Sequence, residues 1–236
     1  MPSYPDEFTE GLAALGRLGV DVDTLDERLR HIATEACRAI GPSDHAGMTV
    51  IRNGRPVTAG HTDDVIIPID LAQYGSDSGP CVDAYRYATV CRVDCTETDD
   101  RWPEFSRAAA KVGVLSALSL PLQVGGEHVG ALNLYSTRPK RFDDEHERLG
   151  AIFAEQAAVA IANTDMYTRV RMLTDQLQEA LQTRDVIGQA KGILMAQRGV
   201  DADTAFDLLR RASQRRNVKL RHVAEDVTRT GRLVPG

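Results

Sequence analysis

From Asp143 to Leu181 the sequence contains no proline, and Gly150 is its single glycine. Nothing in that stretch stops a helix, since proline and glycine are the residues that end one. Asp143 is placed to cap it, and Ile152, Phe153, Gln156, Ala157, Ala160 and Ile161 make a stripe at helical spacing. Further on, Met166, Val170, Leu173, Leu177 and Ala180 recur at steps of four, three, four and three. That is the a/d seam of a coiled coil, carried over about two heptads. The seam admits two readings, a parallel homodimer or a long helix laid against its own domain. Under both, the segments on either side are joined by a helix.

Those two sides differ in charge. The whole chain has formal net charge -6, yet residues 183–236 hold eleven Lys/Arg against six Asp/Glu, a net of +5. The remainder then holds 28 − 11 = 17 basic and 34 − 6 = 28 acidic residues, a net of -11. Six of the twelve residues in "RRASQRRNVKLR" (210–221) are Arg or Lys. Such asymmetry argues for two functional regions. The opening "MPSYPDEFTEG" is acidic, with neither the positive nor the apolar region of a signal peptide. No apolar run approaches membrane length, so a cytoplasmic protein without membrane partners is expected.

The acidic region reads as mixed α and β. A helix is predicted over 23–40, capped by Asp23, with Leu25, Leu29, Ile32, Ala36 and Ile40 on one face. Met48 to Arg52 reads as a strand, Asn53-Gly54 as a tight turn, and 56–61 as the returning strand. A second hairpin joins 115–124 to 128–136 through Gly125-Gly126. Residues 62–114, with Gly75, Gly79, Pro80, Asp99, Asp100 and Pro103, read as loops around a short strand at 89–93.

The basic region reads as three helices. Gly199 stops the first, Asp201 caps the second, and Asn217-Val218 breaks the chain before a third at 219–229. Val186, Ile187, Ala190, Ile193 and Leu194 line the first helix. Ala205, Phe206, Leu209 and Ala212 line the second, and Leu220, Val223, Ala224 and Val227 the third. Three such stripes can bury one another. Arg184, Lys191 and Arg198 lie seven apart and form a ridge. Arg210, Gln214 and Asn217 share one flank of the second helix, Arg211 and Arg215 another, and Lys219 and Arg221 follow. Arg216 falls nearer the apolar side, where it can snorkel. Arg, Gln and Asn side chains at these positions suit phosphates and base edges. A plain solvated face is the competing reading. Gly192 in mid-helix costs roughly 1 kcal/mol against Ala, and a close neighbouring helix or RNA backbone would offset that.

Two resemblances carry the functional expectation. "LPLQVGGEHVGALNLYSTRPKRFDDEHERLGAIFAEQAAVAI" resembles the second half of a GAF domain, an antiparallel sheet flanked by helices with a small-molecule pocket in many members. "QAKGILMAQRG", "TAFDLLRRAS" and the following Asn217, Lys219, Leu220 and Val223-Ala224 resemble an ANTAR domain, the RNA-binding module of bacterial antiterminators. The expected fold is therefore α+β, with a GAF-like sheet, a long connector helix and a three-helix ANTAR-like bundle. The expected division is an N-terminal segment 1–22, a sensor 23–165, a connector 166–182, a bundle 183–231 and a tail 232–236. The resemblance implies a homodimer that binds tandem hairpins in nascent RNA and prevents termination, with RNA polymerase in the elongation complex as a further partner.

"QYGSDSGPCVDAY" (73–85) is similar to a segment seen in GAF domains fused to ANTAR modules, which makes Gln73, Gly79, Pro80 and Cys81 a candidate sensor-pocket loop. No cofactor is evident, and an unnamed small molecule is the expected ligand. His45, His61 and His128 read as surface or strand residues. The four cysteines, Cys37, Cys81, Cys91 and Cys95, lack metal-site spacing and read as free thiols. Asp99, Asp100 and Glu104 read as a solvated acidic loop. No nucleophile elbow, P-loop or H-E-x-x-H is present, so no enzyme is expected. Two other classes fit the residues alone: a ligand-responsive DNA-binding regulator, and a GAF-type protein-interaction module.

Overall fold

A computed structural model of the chain describes residues 4–17, 25–41, 43–52 and 54–233. The expected cap Asp23 and the turn residue Asn53 lie outside the described residues. The chain forms two compact units, residues 1–167 and 168–236.

The first unit is built on a five-stranded antiparallel sheet. Its strands are β1 (His45–Arg52), β2 (Arg55–His61), β3 (Cys91–Val93), β4 (Ser116–Val124) and β5 (Glu127–Ser136), in the order β2-β1-β5-β4-β3. Gly125 and Gly126 both have positive φ, +58° and +86°, as a two-residue hairpin turn requires. Alternation along the strands sorts residues onto two faces. Met48, Val50, Leu118, Leu120, Leu132 and Leu134 share one core with α1 (Asp6–Gly16) and α2 (Leu25–Ala39). Ala117, Ala131 and Tyr135 join a second core on the other face. Gly130 is required by close strand approach, because a Cβ there would fall on the carbonyl of Thr49.

Residues 62–114 differ from expectation. In place of loops they form α3 (Ile67–Ser76), α4 (Pro80–Tyr87) and α5 (Pro103–Lys111), besides β3. The reason lies in where the prolines fall. Each of the three helices has a proline in its first two positions, where the missing N–H costs nothing. Residues read as loop punctuation are helix starters. Within the N-terminal segment, residues 6–16 form a further helix. α1 buries Phe8 completely, a contribution of about 2–3 kcal/mol. Gly11 lets it close on α2, since a Cβ there would stand 2.6 Å from the Ala39 methyl.

The helix after β5, α6, runs from Asp144 to Arg198 without interruption. Expectation began the bundle with a separate helix near 183; that helix is the end of α6. With no proline between 143 and 199, the backbone has no reason to break before Gly199, whose φ of +61° ends it. Its apolar residues change role along its length. Phe153, Ala157 and Ile161 belong to the first core, whereas Ala190 and Leu194 belong to the bundle core. Between them Met166, Val170, Leu173 and Leu177 are 53–68% exposed.

In the second unit, α7 (Ala202–Arg216) and α8 (Leu220–Thr230) complete a small helical core with the end of α6. Asp201 caps α7 by accepting the Thr204 N–H at 2.8 Å. Asn217 ends it in the left-handed conformation at φ +51°, and its N–H bonds the Gln214 carbonyl.

Candidate functional sites

Four residues were expected to form a sensor loop. Gln73 lies in α3, Gly79 precedes α4, and Pro80 and Cys81 open α4. The structure brings them together, but as a helix junction buried against the sheet and not as a loop. The side-chain carbonyl of Gln73 accepts the backbone N–H of Cys81 at 2.9 Å. A Cβ on Gly79 would land on the Gln73 amide, so that position admits glycine alone.

Behind this junction lies a polar cluster that sequence reasoning missed. Asp70 of α3 is fully buried and accepts hydrogen bonds from Thr58 at 2.7 Å and Tyr135 at 2.9 Å. The Tyr74 hydroxyl lies 3.1 Å from Thr58 and 2.9 Å from Thr49. Thr49 lies 3.0 Å from the Cys81 sulfur. Asn133 donates to both, at 3.1 and 3.3 Å. Burial pushes the Asp70 carboxyl up to about 6, against the lowering effect of its two hydroxyl donors. Burial and the nearby Asp70 push the Cys81 thiol up to about 12, so it stays protonated. Three buried polar atoms here have no hydrogen-bond partner among the described residues: Gln73 Nε2, Ser119 Oγ and Asn133 Oδ1. Orphaned buried groups of this kind are rare in folded proteins.

The remaining candidates fall into place around it. His61 Nε2 lies 2.7 Å from Asp64, and His128 Nδ1 lies 2.7 Å from the Tyr85 carbonyl. Asp99 is held by Arg101, whose guanidinium lies over the Trp102 ring. All four cysteines are free thiols. Among the described residues no cluster could hold a metal ion, and no helix is long and apolar enough to cross a membrane.

On the second unit, the ten basic and polar positions expected to meet RNA divide into groups. Arg184, Lys191, Lys219 and Arg221 line one groove. Arg198, Arg210, Arg211, Gln214, Arg215 and Asn217 are exposed but do not line it. Among the described residues, Arg184, Lys191, Arg198, Arg211, Arg215 and Lys219 make no ion pair, whereas Arg210 pairs with Asp207 at 2.9 Å and Arg221 with Glu179 at 2.6 Å. Arg216 reaches across to Asp226 of α8 at 2.9 Å and ties two helices together. Two expectations are corrected. Phe206 is 37% exposed and not a core residue. No part of the described chain lies within 4 Å of a Cβ placed on Gly192, so helix packing inside the chain does not explain that glycine.

A five-stranded sheet with a buried polar junction on one face is thus followed by a helical bundle with exposed cations, and the two parts match the domains of signal-sensing, RNA-binding regulators. The chain belongs to the GAF domain family, whose model matches residues 22–162; an ANTAR domain follows at 175–227. No match to the chain was found among curated proteins. Solved structures resemble the first module. A domain of a two-component sensor histidine kinase from Sinorhizobium meliloti is 16% identical, with TM-score 0.52, covering 64% of this chain and 99% of that one. The GAF domain of a phosphoenolpyruvate-protein phosphotransferase from Coxiella burnetii is 15% identical, with TM-score 0.52, covering 69% and 97%. Free methionine-R-sulfoxide reductase from Neisseria meningitidis is 14% identical, with TM-score 0.53, covering 71% and 96%. At such identities the likeness is one of fold. GAF and ANTAR domains are in general non-catalytic.

Proposed function

We propose that the protein is a cytoplasmic transcription antitermination regulator. A dimer formed along Met166, Val170, Leu173 and Leu177 presents two bundles, and each engages one hairpin of a tandem stem-loop in nascent RNA. The bound RNA excludes the terminator hairpin, so RNA polymerase in the elongation complex continues. The protein does no covalent chemistry. Binding draws on charge neutralisation and falls steeply with salt. The observation that carries this reading is the set of bundle cations without carboxylate partners among the described residues, Arg184, Lys191, Arg198, Arg211, Arg215 and Lys219, on an ANTAR module.

The input acts at the Gln73–Cys81 junction. Its orphaned atoms at Gln73, Ser119 and Asn133 support a small polar ligand there, since such a molecule supplies the missing partners. The test of function is sequencing of RNA that copurifies with the full chain, followed by competition between recovered hairpin pairs and duplex DNA. Recovery of tandem hairpins that outcompete DNA is the expected result. Preference for duplex DNA would establish the DNA-binding alternative instead.

A further inference from the structure

The groove on the second unit has a volume of about 950 Å³ and lies among the end of α6, Phe206 of α7 and the start of α8. Its lining combines two kinds of group. Ala180, Ile187, Leu220 and the Phe206 ring are apolar; Arg184, Lys191, Lys219 and Arg221 are cationic. Two carboxylates also line it, and one of them, Glu179, is occupied by Arg221. The groove is thus net positive around an apolar centre. Phe206 is open to it, while its neighbours Ala205 and Leu209 are fully buried. Lys191 Nζ stands 5.9 Å from the centroid of that ring. An exposed aromatic face beside unpaired cations is the combination on which single-stranded bases stack.

We infer that this groove takes one unstacked base of an RNA loop, stacked on Phe206, with the flanking phosphates on Arg184, Lys191 and Lys219. The inference rests on the proposed RNA-binding function and adds a place and a mode to it. Charge decides the occupant against a second copy of the chain. Arg184 and Lys191 continue the seven-residue register of Val170 and Leu177. In a parallel dimer, residues in that register face their own copies. Two arginines and then two lysines would meet, which is unfavourable. The seam therefore ends at Leu177 and leaves the cations beyond it for a polyanion. A base with its phosphates satisfies both the apolar and the cationic lining; the same stretch of a second copy brings Arg184 and Lys191 of its own.

The test uses the full-length protein. It first selects its tightest hairpin from a pool with a fixed stem and a randomised loop. The second probe is the same stem closed by a non-nucleotide linker. Phe206→Leu is expected to weaken the selected hairpin roughly tenfold, with Phe206→Tyr within about twofold of the parent, since stacking one base is worth about 1–3 kcal/mol. All three proteins should bind the linker-closed stem alike. Far-UV circular dichroism checks that both variants keep the fold. Unchanged affinity of a folded Phe206→Leu variant for the selected hairpin overturns the inference and leaves RNA binding standing. So does a change in its sedimentation, which would put a second copy in the groove. A parent protein that selects no hairpin overturns the RNA-binding reading itself, and the groove assignment with it.

Discussion

The Tyr135 hydroxyl donates to the Asp70 carboxylate at 2.9 Å, and both residues are completely buried. A carboxylate in that position gains two hydroxyl donors yet loses its water. The loss prevails, and the carboxyl is raised from 3.8 to about 6. The folded protein therefore holds the proton more tightly than the unfolded chain. Stability from this group is full below about pH 4 and falls away as pH rises through about 6, a difference of about 3 kcal/mol for a buried group. Asp70→Asn lacks that dependence. Its melting temperature relative to the parent should climb between pH 4 and pH 7 in scanning fluorimetry. A constant difference across that range would show that Asp70 titrates normally.

Gly79→Ala should disrupt the sensor junction, because the new methyl occupies the space of the Gln73 amide. The hydrogen bond from Cys81 N–H is then lost inside the core, at a cost of about 1–3 kcal/mol. Gly75→Ala is the control, since its Cβ meets nothing within 4 Å. Urea unfolding should separate the two variants clearly, with Gly75→Ala neutral or slightly stabilised.

Replacing Val170, Leu173 and Leu177 together by glutamine should abolish the dimer without harming the fold, because all three are more than half exposed. Sedimentation velocity reads the outcome. A triple variant that remains dimeric would remove the seam from the interface.

Neutralising Lys191 or Lys219 should lower the slope of log affinity against log salt by about 0.7–1 each, the effect of one lost phosphate contact. Arg210→Gln should do less, since Arg210 already has Asp207 as a partner at 2.9 Å. Equal slopes for all three variants and the parent would place the RNA on some other surface.

Much of the fold was legible in local patterns. The Gly125-Gly126 turn, strand alternation and the stripes of the bundle are written in neighbouring residues. The prolines misled, because Pro68, Pro80 and Pro103 read alike whether they interrupt a chain or open a helix. α1 was passed over because its apolar residues are few; Phe8 and Leu15 matter through what they touch. The polar cluster was illegible for another reason. Thr49, Thr58, Asp70, Asn133 and Tyr135 are scattered along the chain; β1–β2 and β1–β5 pairing gathers four of them, and α3 brings Asp70 onto that face. Asn133 did leave a trace, a polar residue between Leu132 and Leu134 on a strand with a buried partner face. The basic positions were found from charge alone, but charge could not show that Phe206 turns outward beside them.

Thr49 has a single proton, and the Tyr74 hydroxyl and the Cys81 sulfur both lie within reach of it. Thr58 gives its own to Asp70, and if every contact in the file is a hydrogen bond, Tyr74 gives to Thr58 and Thr49 to Tyr74. The Cys81 thiol is then left to give to Thr49. Four donors are aligned head to tail by one carboxylate at the far end. Protonating Asp70 removes the anchor that sets their direction, and the whole file is then free to turn about. An event at the carboxylate is thereby felt at a sulfur that it never touches.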